Sequence, residues 1–321
     1  MINDKPCKVS IIIPTYNRST FLRDAIQSVV KQTYRPLECI IVDDGSTDDT
    51  KEIAEKFILE NNDLFLVKYI FQQNAGAQAA RNSGTANASG EFVQYLDSDD
   101  LLYPDKINSQ VAYLNRHPEC DAVFGDWEQG SIDKKEKITA YKSDDLIKQF
   151  LTEKCIANFA ILMRFSLVKK IGEWDVTIKR NQEIDFHLRG VLEGGRFEYH
   201  PMITGLWRTH PGERIANRNT FNAVINFYRK WEGILITKNL FTNAIKEGIV
   251  NSYTWFLNEY PKGSYGEMAL VLREMHRLLP GHPIFLSQKF VIIKKTLGLG
   301  SAIQAWIYAF KKTNAQRVLH N

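Results

Sequence analysis

Tyr95-Leu-Asp97-Ser98-Asp99-Asp100 closes an apolar, strand-like stretch with three carboxylates and no basic residue among them. Crowded carboxylates repel one another, so they call for a cation. Oxygen ligands at a strand end suit Mg²⁺ or Mn²⁺, which keep several waters and bind through one or two carboxylates plus substrate phosphates. The run therefore marks a place for a diphosphate ligand. The competing reading is a cap for a helix whose first turn is Leu101-Leu102-Tyr103-Pro104. Three acidic residues in four positions exceed what a cap uses.

Working outward, residues 8–125 alternate short apolar runs with amphipathic stretches. Lys8-Val-Ser-Ile-Ile-Ile13 predicts a buried strand stopped by Pro14. Ser19 or Thr20 is expected to cap a helix through about Lys31, with Phe21, Leu22, Ala25, Ile26, Val29 and Val30 on its apolar face. Leu37 to Val42 predicts a second strand, and Ser46 or Thr47 a cap for a helix carrying Ile53, Ala54, Phe57 and Ile58. Leu64–Phe71 reads as a strand, Ala77–Ala88 as a helix, and Glu91–Leu96 as the strand that delivers the acidic run. Strands alternating with helices imply crossovers and a mainly parallel sheet with ligands at the carboxyl ends of its strands. The polar clusters fall at those ends.

Composition sets the frame. The 321 residues, 44% hydrophobic and 24% charged, suffice for one large domain or two. Cys7, Cys39, Cys120 and Cys155 lie far apart without CxxC or zinc spacing, which predicts a reducing compartment and no disulfide framework. Met1 to Pro6 lacks the features of a signal peptide, so a cytoplasmic location is expected. Residues 218–321 carry 14 Lys+Arg against 5 Asp+Glu, a net +9 in a chain of net +4, which leaves −5 for residues 1–217. The acidic front must handle a diphosphate through a metal and selected arginines, whereas the basic rear suits anionic lipid headgroups. No basic stripe interleaved with aromatics lies near the acidic run, so no nucleic-acid partner is expected.

Two nucleotide folds are excluded by their loops. Pro14-Thr-Tyr-Asn-Arg-Ser follows the first strand without the glycines of a dinucleotide fingerprint, and the chain contains no Gly-Lys dipeptide for a P-loop. Five segments instead carry a resemblance: Val9-Ser-Ile-Ile-Ile-Pro-Thr-Tyr-Asn-Arg18, Ile41-Val-Asp-Asp-Gly-Ser-Thr-Asp48, Asn74-Ala-Gly76, Ala80-Arg-Asn-Ser-Gly84 and Gly90-Glu-Phe-Val-Gln-Tyr-Leu-Asp-Ser-Asp-Asp100. In this order and spacing the chain, over about residues 8–215, resembles the family 2 glycosyltransferases of GT-A fold.

The resemblance implies an α/β, Rossmann-like sheet flanked by helices in a domain of residues 1–217, with a helical region over 218–321. It puts Pro14, Thr15 and Tyr16 around the base of a nucleotide sugar and Asp44 on a uracil edge, where a carboxylate can accept the imide N–H. Asn17, Gly76 and Ser98 count among the donor-binding residues. Asp44 can instead be a turn residue beside Gly45, and Asp43 reads as only that. Asp97 is assigned to the ribose or the metal shell, and Asp99 to Mn²⁺ or Mg²⁺ bridging the diphosphate. Asp100 orients its neighbours or caps a helix, and Arg81 pairs with the diphosphate or with Asp97.

Inversion by direct displacement needs a base on the acceptor hydroxyl. The family supplies it from a Glu-Asp pair before an Asp-Leu-Trp-Leu-Arg-like helix, and this chain has Gln182-Glu183-Ile-Asp185-Phe-His-Leu-Arg189. That places Glu183 at the base position and Gln182 where the family often has Glu, with Asp185 the alternative base. Trp174 lines the acceptor pocket or sits in the core. Trp207-Arg-Thr-His-Pro-Gly212 resembles the closing segment, in which Arg208 neutralises the leaving group and His210 completes the metal shell or touches a phosphate.

Apolar positions in Phe221–Leu235, Ala244–Leu257 and Met268–Leu279 predict helices punctuated by Pro261-Lys-Gly and Pro280-Gly-His-Pro. Residues 296–310 are uncharged between Lys294-Lys295 and Lys311-Lys312, which suits either a helix lying on a membrane or one docked on the protein. The expectation is a metal-dependent inverting glycosyltransferase, of the hexosyl- or N-acetylhexosaminyltransferase class, acting from a UDP-sugar onto a glycan, lipid-linked or polysaccharide acceptor. It would be cytoplasmic or peripheral at the inner face of the membrane. The alternative is an inactive donor-binding or scaffolding protein of a glycan assembly complex.

Overall fold

The computed structural model describes residues 7–61, 65–152, 156–210, 221–259, 264–283, 298–309 and 311. It divides into two units, Met1–Ile147 with Cys155–Thr177 and Gln182–Gly212, and Lys148–Lys154 with Ile178–Asn181 and Glu213–Asn321.

In the first unit β1 (Val9–Thr15), α1 (Ser19–Val30), β2 (Leu37–Asp43), α2 (Thr50–Asn61), β3 (Leu66–Phe71), α3 (Ala77–Ala86) and β4 (Phe92–Tyr95) alternate as expected. Every residue of β1 and β2 is buried, as a strand covered on both faces requires. The remaining elements are β5 (Leu101–Leu102), α4 (Lys106–Arg116), β6 (Ala122–Gly130), β7 (Lys135–Ile138), then α5 (Leu146–Thr152), most of whose residues belong to the second unit, and β8 (Ile161–Arg164), α6 (Phe165–Ile171), α7 (Gln182–Leu192) and β9 (Phe197–Arg208). The described strands form one sheet in the order β3-β2-β1-β4-β8-β6-β9-β5, with β7 on β6. Strands β3, β2, β1 and β4 are parallel, so their carboxyl ends share one edge. Beyond them the sheet is mixed: β8 is antiparallel to β4 and β6, and β9 is parallel to β6.

Three local expectations are corrected. Pro14 does not stop β1 but lies within it, in register with Val42. The Ile12 carbonyl accepts from Leu96 N–H at 3.0 Å, and Pro14 shares that side of the strand, where β4 pairs no further than Tyr95. No ladder N–H is needed there. Helices α1 and α2 are not capped by Ser19, Thr20, Ser46 or Thr47. Asp48 serves both, accepting Ser19 N–H at 3.0 Å and Thr50 N–H at 3.2 Å. Finally, Asp97–Asp100 cap no helix. Leu101 and Leu102 pair with Leu206 and Gly205 of β9, and Pro104 disfavours a helical Tyr103, so α4 starts only at Lys106.

Two features set the sheet's packing. Gly84 lies in the last turn of α3, and a Cβ there would collide with Ile12 Cγ2, so the helix can lie this close to β1 only with glycine. Glu38 of β2 is fully buried at the opposite end of the sheet from the acidic run. Lys8 Nζ lies 2.9 Å from it, Ser10 Oγ donates at 2.5 Å and Ser89 N–H at 2.6 Å. Burial opposes its charge, but Ser10, Lys8 and Ser89 outweigh burial and hold the carboxyl down to about 2. A depressed carboxylate contributes stability above its unfolded value, and that stability is lost as pH falls toward 2. Glu38→Gln is expected to cost about 3 kcal/mol at pH 6 and about 1 kcal/mol at pH 3, measured by chemical denaturation.

In the second unit the expected helices are α8 (Phe221–Thr237), α9 (Asn243–Glu259) and α10 (Tyr265–Leu278), packed through Trp231, Tyr253, Phe256, Val271 and Met275. Ser264 and Glu267 form a reciprocal cap at the start of α10. Ion pairs join Glu274 to Arg229 at 2.5 Å and Glu232 to Arg277 at 2.5 Å. Residues 298–309 are helical and bury Ala302, Ile303 and Ile307. Met1–Pro6, Leu64, Cys155, Pro211-Gly212, Pro261-Lys-Gly, Phe290–Lys295 and Lys312 lie outside the described residues. Among those described, no helix is long and apolar enough to cross a membrane.

Candidate active site

The loops after β1 and β2 are clasped together at the carboxyl edge of the sheet. Asn17 adopts a left-handed φ of 50°, which asparagine tolerates better than most residues. Its N–H donates to Ser46 Oγ at 2.8 Å and its Oδ1 accepts Thr47 N–H at 2.7 Å. Asp43 takes the turn role expected of it, accepting Ser46 N–H at 2.8 Å and Tyr69 O–H at 2.7 Å. Asp44 is buried. Its Oδ1 accepts from Gln72 Nε2 at 2.8 Å and Ala75 N–H at 2.9 Å, and its Oδ2 from Gly76 N–H at 2.7 Å. Those bonds fix the segment leading to α3, where Gly76 has a φ of 96°. A carboxylate offers about four acceptor positions, so about one remains, on Oδ2. Pro14 and Thr15 are buried and Tyr16 is 44% exposed; Thr15 Oγ1 has no hydrogen-bond partner among the described residues.

The acidic run lacks basic residues in sequence, but arginines reach it from three distant segments. Arg81 of α3 is buried, gives Nη2 to Asp97 at 2.6 Å and Nη1 to Gln182 at 3.1 Å, and lies over the Trp174 ring at 4.5 Å. Arg18 Nη1 contacts Asp99 Oδ2 and stands 3.3 Å from His210 Nε2, which is itself 3.1 Å from the same oxygen. Arg208 donates its backbone N–H to Asp100 at 3.1 Å. Its guanidinium bonds the Asp99 carbonyl, Asp24 at 2.6 Å and the Phe21 carbonyl at 3.1 Å. His210 packs on Phe21 with ring centres 4.4 Å apart. Ser98 is buried within the turn, where Asp100 N–H donates to Asp97 O at 3.0 Å.

Electrostatics separate neighbouring carboxylates. Burial works against ionised Asp99, but Arg18 and then His210 hold it below its ordinary range. Burial, then Asp99 and Asp97, raise Asp100 well above it. Arg18 was not among the residues expected here. It ends the first quoted segment, but its partner lies 81 positions away, beyond the reach of local pattern.

Helix α7 brings up the two candidate bases in different surroundings. Glu183 keeps 28% of its side chain exposed and lies 3.8 Å from Arg81 Nη2. Burial raises its basicity, Arg81 offsets part of that, and Asp97 adds to it. Asp185 is 1% exposed and accepts Arg189 Nε at 3.0 Å within the helix. Trp174 stacks on Phe186 at 4.2 Å in the core, beneath Arg81.

Among the described residues no three His, Cys, Asp or Glu side chains gather as a cation site. A two-ligand site is still compatible with an ion that draws its other ligands from phosphate and water. Neighbouring ligands of an octahedral ion at about 2.1 Å stand about 3 Å apart. Asp99 Oδ2 and His210 Nε2 are 3.1 Å apart.

Residues 10–172 match the model of the family described as Glycosyl transferase family 2. A Rickettsia typhi protein named as an uncharacterized glycosyltransferase is 27% identical over 321 residues, covering 95% of this chain and 96% of its own. The glycosyltransferase GlyA of Streptococcus pneumoniae is 40% identical over 120 residues, 37% of this chain and 17% of its own. Among solved structures, Staphylococcus aureus TarS 1–349 in complex with UDP-GlcNAc has a TM-score of 0.71 at 17% identity, covering 95% and 92% of the two chains. The mannosyltransferase PcManGT of Pyrobaculum calidifontis, in complex with GDP-Man and Mn²⁺, has a TM-score of 0.55 at 17% identity, covering 97% and 88%.

Proposed function

The chain belongs to glycosyl transferase family 2, and we propose that it moves a sugar from a UDP-sugar to an acceptor hydroxyl with inversion, using Glu183 as base and a divalent cation. That it is a glycosyltransferase follows from the family; its GT-A fold agrees with TarS and PcManGT. The observation that carries the finer reading is Glu183. It is a partly exposed carboxylate of raised basicity, held 3.8 Å from the arginine that grips Asp97.

Glu183 takes the acceptor proton as the new bond forms, and Arg81 offsets part of the repulsion between the Asp97 and Glu183 charges. Pro14, Thr15, Tyr16 and Asn17 line the base, and Asp97 with Ser98 faces the ribose. Asp99 and His210 hold Mn²⁺ or Mg²⁺, which when bound would offset charge building on the leaving diphosphate. UDP is favoured because TarS, the more similar of the two neighbours, was solved with UDP-GlcNAc, and because Asp44 keeps an acceptor position for an imide N–H. The acceptor is proposed to be a glycan, a lipid-linked glycan or a polysaccharide. The net +9 of residues 218–321 supports a site of action beside anionic lipid.

A donor-binding scaffold without turnover would have no need of a partly exposed base beside a cluster of like charges. Thermal shift and hydrolysis assays across UDP-, GDP- and CDP-sugars with and without Mn²⁺ test the reading. UDP-sugars with Mn²⁺ are expected to stabilise the protein most and to be hydrolysed slowly; a preference for GDP-sugars, or none, overturns the UDP assignment. In the same assays Asp44→Ala should weaken UDP binding by about 1.5–3 kcal/mol and flatten discrimination against CDP.

A further inference from the structure

We infer that Arg18 is an internal counter-ion which occupies the Asp99–His210 pair while no donor is bound and transfers to the donor diphosphate when cation and nucleotide arrive together. The inference rests on the cation reading above. Its starting point is that one guanidinium nitrogen, Arg18 Nη1, contacts Asp99 Oδ2 and stands 3.3 Å from His210 Nε2, the two atoms assigned to the cation. A guanidinium carries a permanent charge and cannot give way by losing a proton. Arg18 and a divalent cation therefore compete for one carboxylate oxygen, and like charge makes simultaneous occupation unfavourable.

The backbone around Arg18 is fixed, and its side chain spans outward from that anchor. Asn17 on one side is tied to Ser46 and Thr47, and Ser19 on the other to Asp48, so the position of Arg18 Cα is set by the β2 loop. The side chain remains 21% exposed, as does that of Asp99. The other arginines of the site are differently employed. Arg81 is buried against Asp97, Gln182 and Trp174, and Arg208 is bound to Asp24, Phe21 and Asp99 O. Arg18 is the one whose described contacts lie on the cation ligands themselves. A diphosphate supplies the anionic partner that Arg18 requires on leaving Asp99, and guanidinium groups suit phosphate oxygens.

The consequence is a coupling between cation and nucleotide that one residue controls. Titration of Mn²⁺ by electron paramagnetic resonance, with and without UDP, measures it on the full chain without turnover. In the parent, Mn²⁺ alone should bind weakly and UDP should tighten it by about tenfold or more. Arg18→Ala should bind Mn²⁺ alone about tenfold more tightly than the parent and UDP, in saturating Mn²⁺, about tenfold more weakly. Arg18→Lys, which keeps the charge but not the fork, should fall between. Arg18→Gln, closer in shape, serves in place of Arg18→Ala if circular dichroism shows that the alanine variant does not fold. Unchanged or weaker binding of Mn²⁺ alone by a folded Arg18→Ala or Arg18→Gln overturns the inference while leaving the cation site standing. A parent that binds UDP but never Mn²⁺ overturns the cation reading and this inference together.

Discussion

Glu183→Gln is expected to lower turnover by about 10²- to 10⁴-fold while UDP-sugar and Mn²⁺ affinities stay close to the parent's. A general base acts only as the bond forms, so its loss falls on kcat and kcat/KM alike. Glutamine keeps the shape and removes the proton acceptor. The pH profile adds a second signature. Burial raises Glu183 and Asp97 reinforces this against the opposing pull of Arg81, so the acid limb of kcat/KM should lie above the ordinary carboxylate range. That limb should vanish in Glu183→Gln. Asp185→Asn is the control, because Asp185 is 1% exposed and engaged by Arg189 at 3.0 Å, where a change acts through stability. A well-folded Asp185→Asn without activity, beside an active Glu183→Gln, would move the base by two residues.

What the sequence revealed and what it hid follow from the range of each interaction. The parallel half of the sheet was legible because β1 and β2 are continuous branched-apolar runs and the helices between them repeat at helical spacing. The antiparallel insertion of β8 between β4 and β6 was not, since four residues, Ile161–Arg164, carry no directional signal. Likewise Leu101-Leu102 looks like the start of a helix until β9 supplies a partner more than 100 positions away. In the site, residue types were legible and pairings were not. Asp97 and Asp99 announce a cation or an arginine, but that Arg81 takes the first and Arg18 the second depends on where α3 and the β1 loop are carried by the fold. Asp48 illustrates the same limit, because it caps α1 across a separation of 29 residues where local rules offered Ser19.

Asp99→Ala is expected to abolish the dependence of UDP binding on Mn²⁺ and to reduce transfer by about 10²- to 10³-fold. Burial alone would favour neutral Asp99, so its ionised form depends on its partners, the Arg18 guanidinium first and then the hydrogen bond to His210. Removal of the carboxylate leaves His210 alone of the two proposed cation ligands and takes away the Asp99 contact of Arg18. Nucleotide binding in a metal-free buffer should therefore be kept or strengthened, since Arg18 no longer has to leave a carboxylate to meet the diphosphate. Added Mn²⁺ should then make no difference. Calorimetric titration of UDP with and without Mn²⁺ checks both halves, and an unaltered response to Mn²⁺ would remove Asp99 from the cation site. Asp100→Asn supplies the contrast within the same turn. Burial, Asp99 and Asp97 already drive Asp100 toward its neutral form, and its Oδ1 accepts the Arg208 backbone N–H at 3.1 Å, a bond that an asparagine oxygen can keep. Asp100→Asn should leave the Mn²⁺ dependence of UDP binding intact. Two adjacent acidic residues would then differ in consequence because their surroundings make one a charge and the other a hydrogen-bonding spacer.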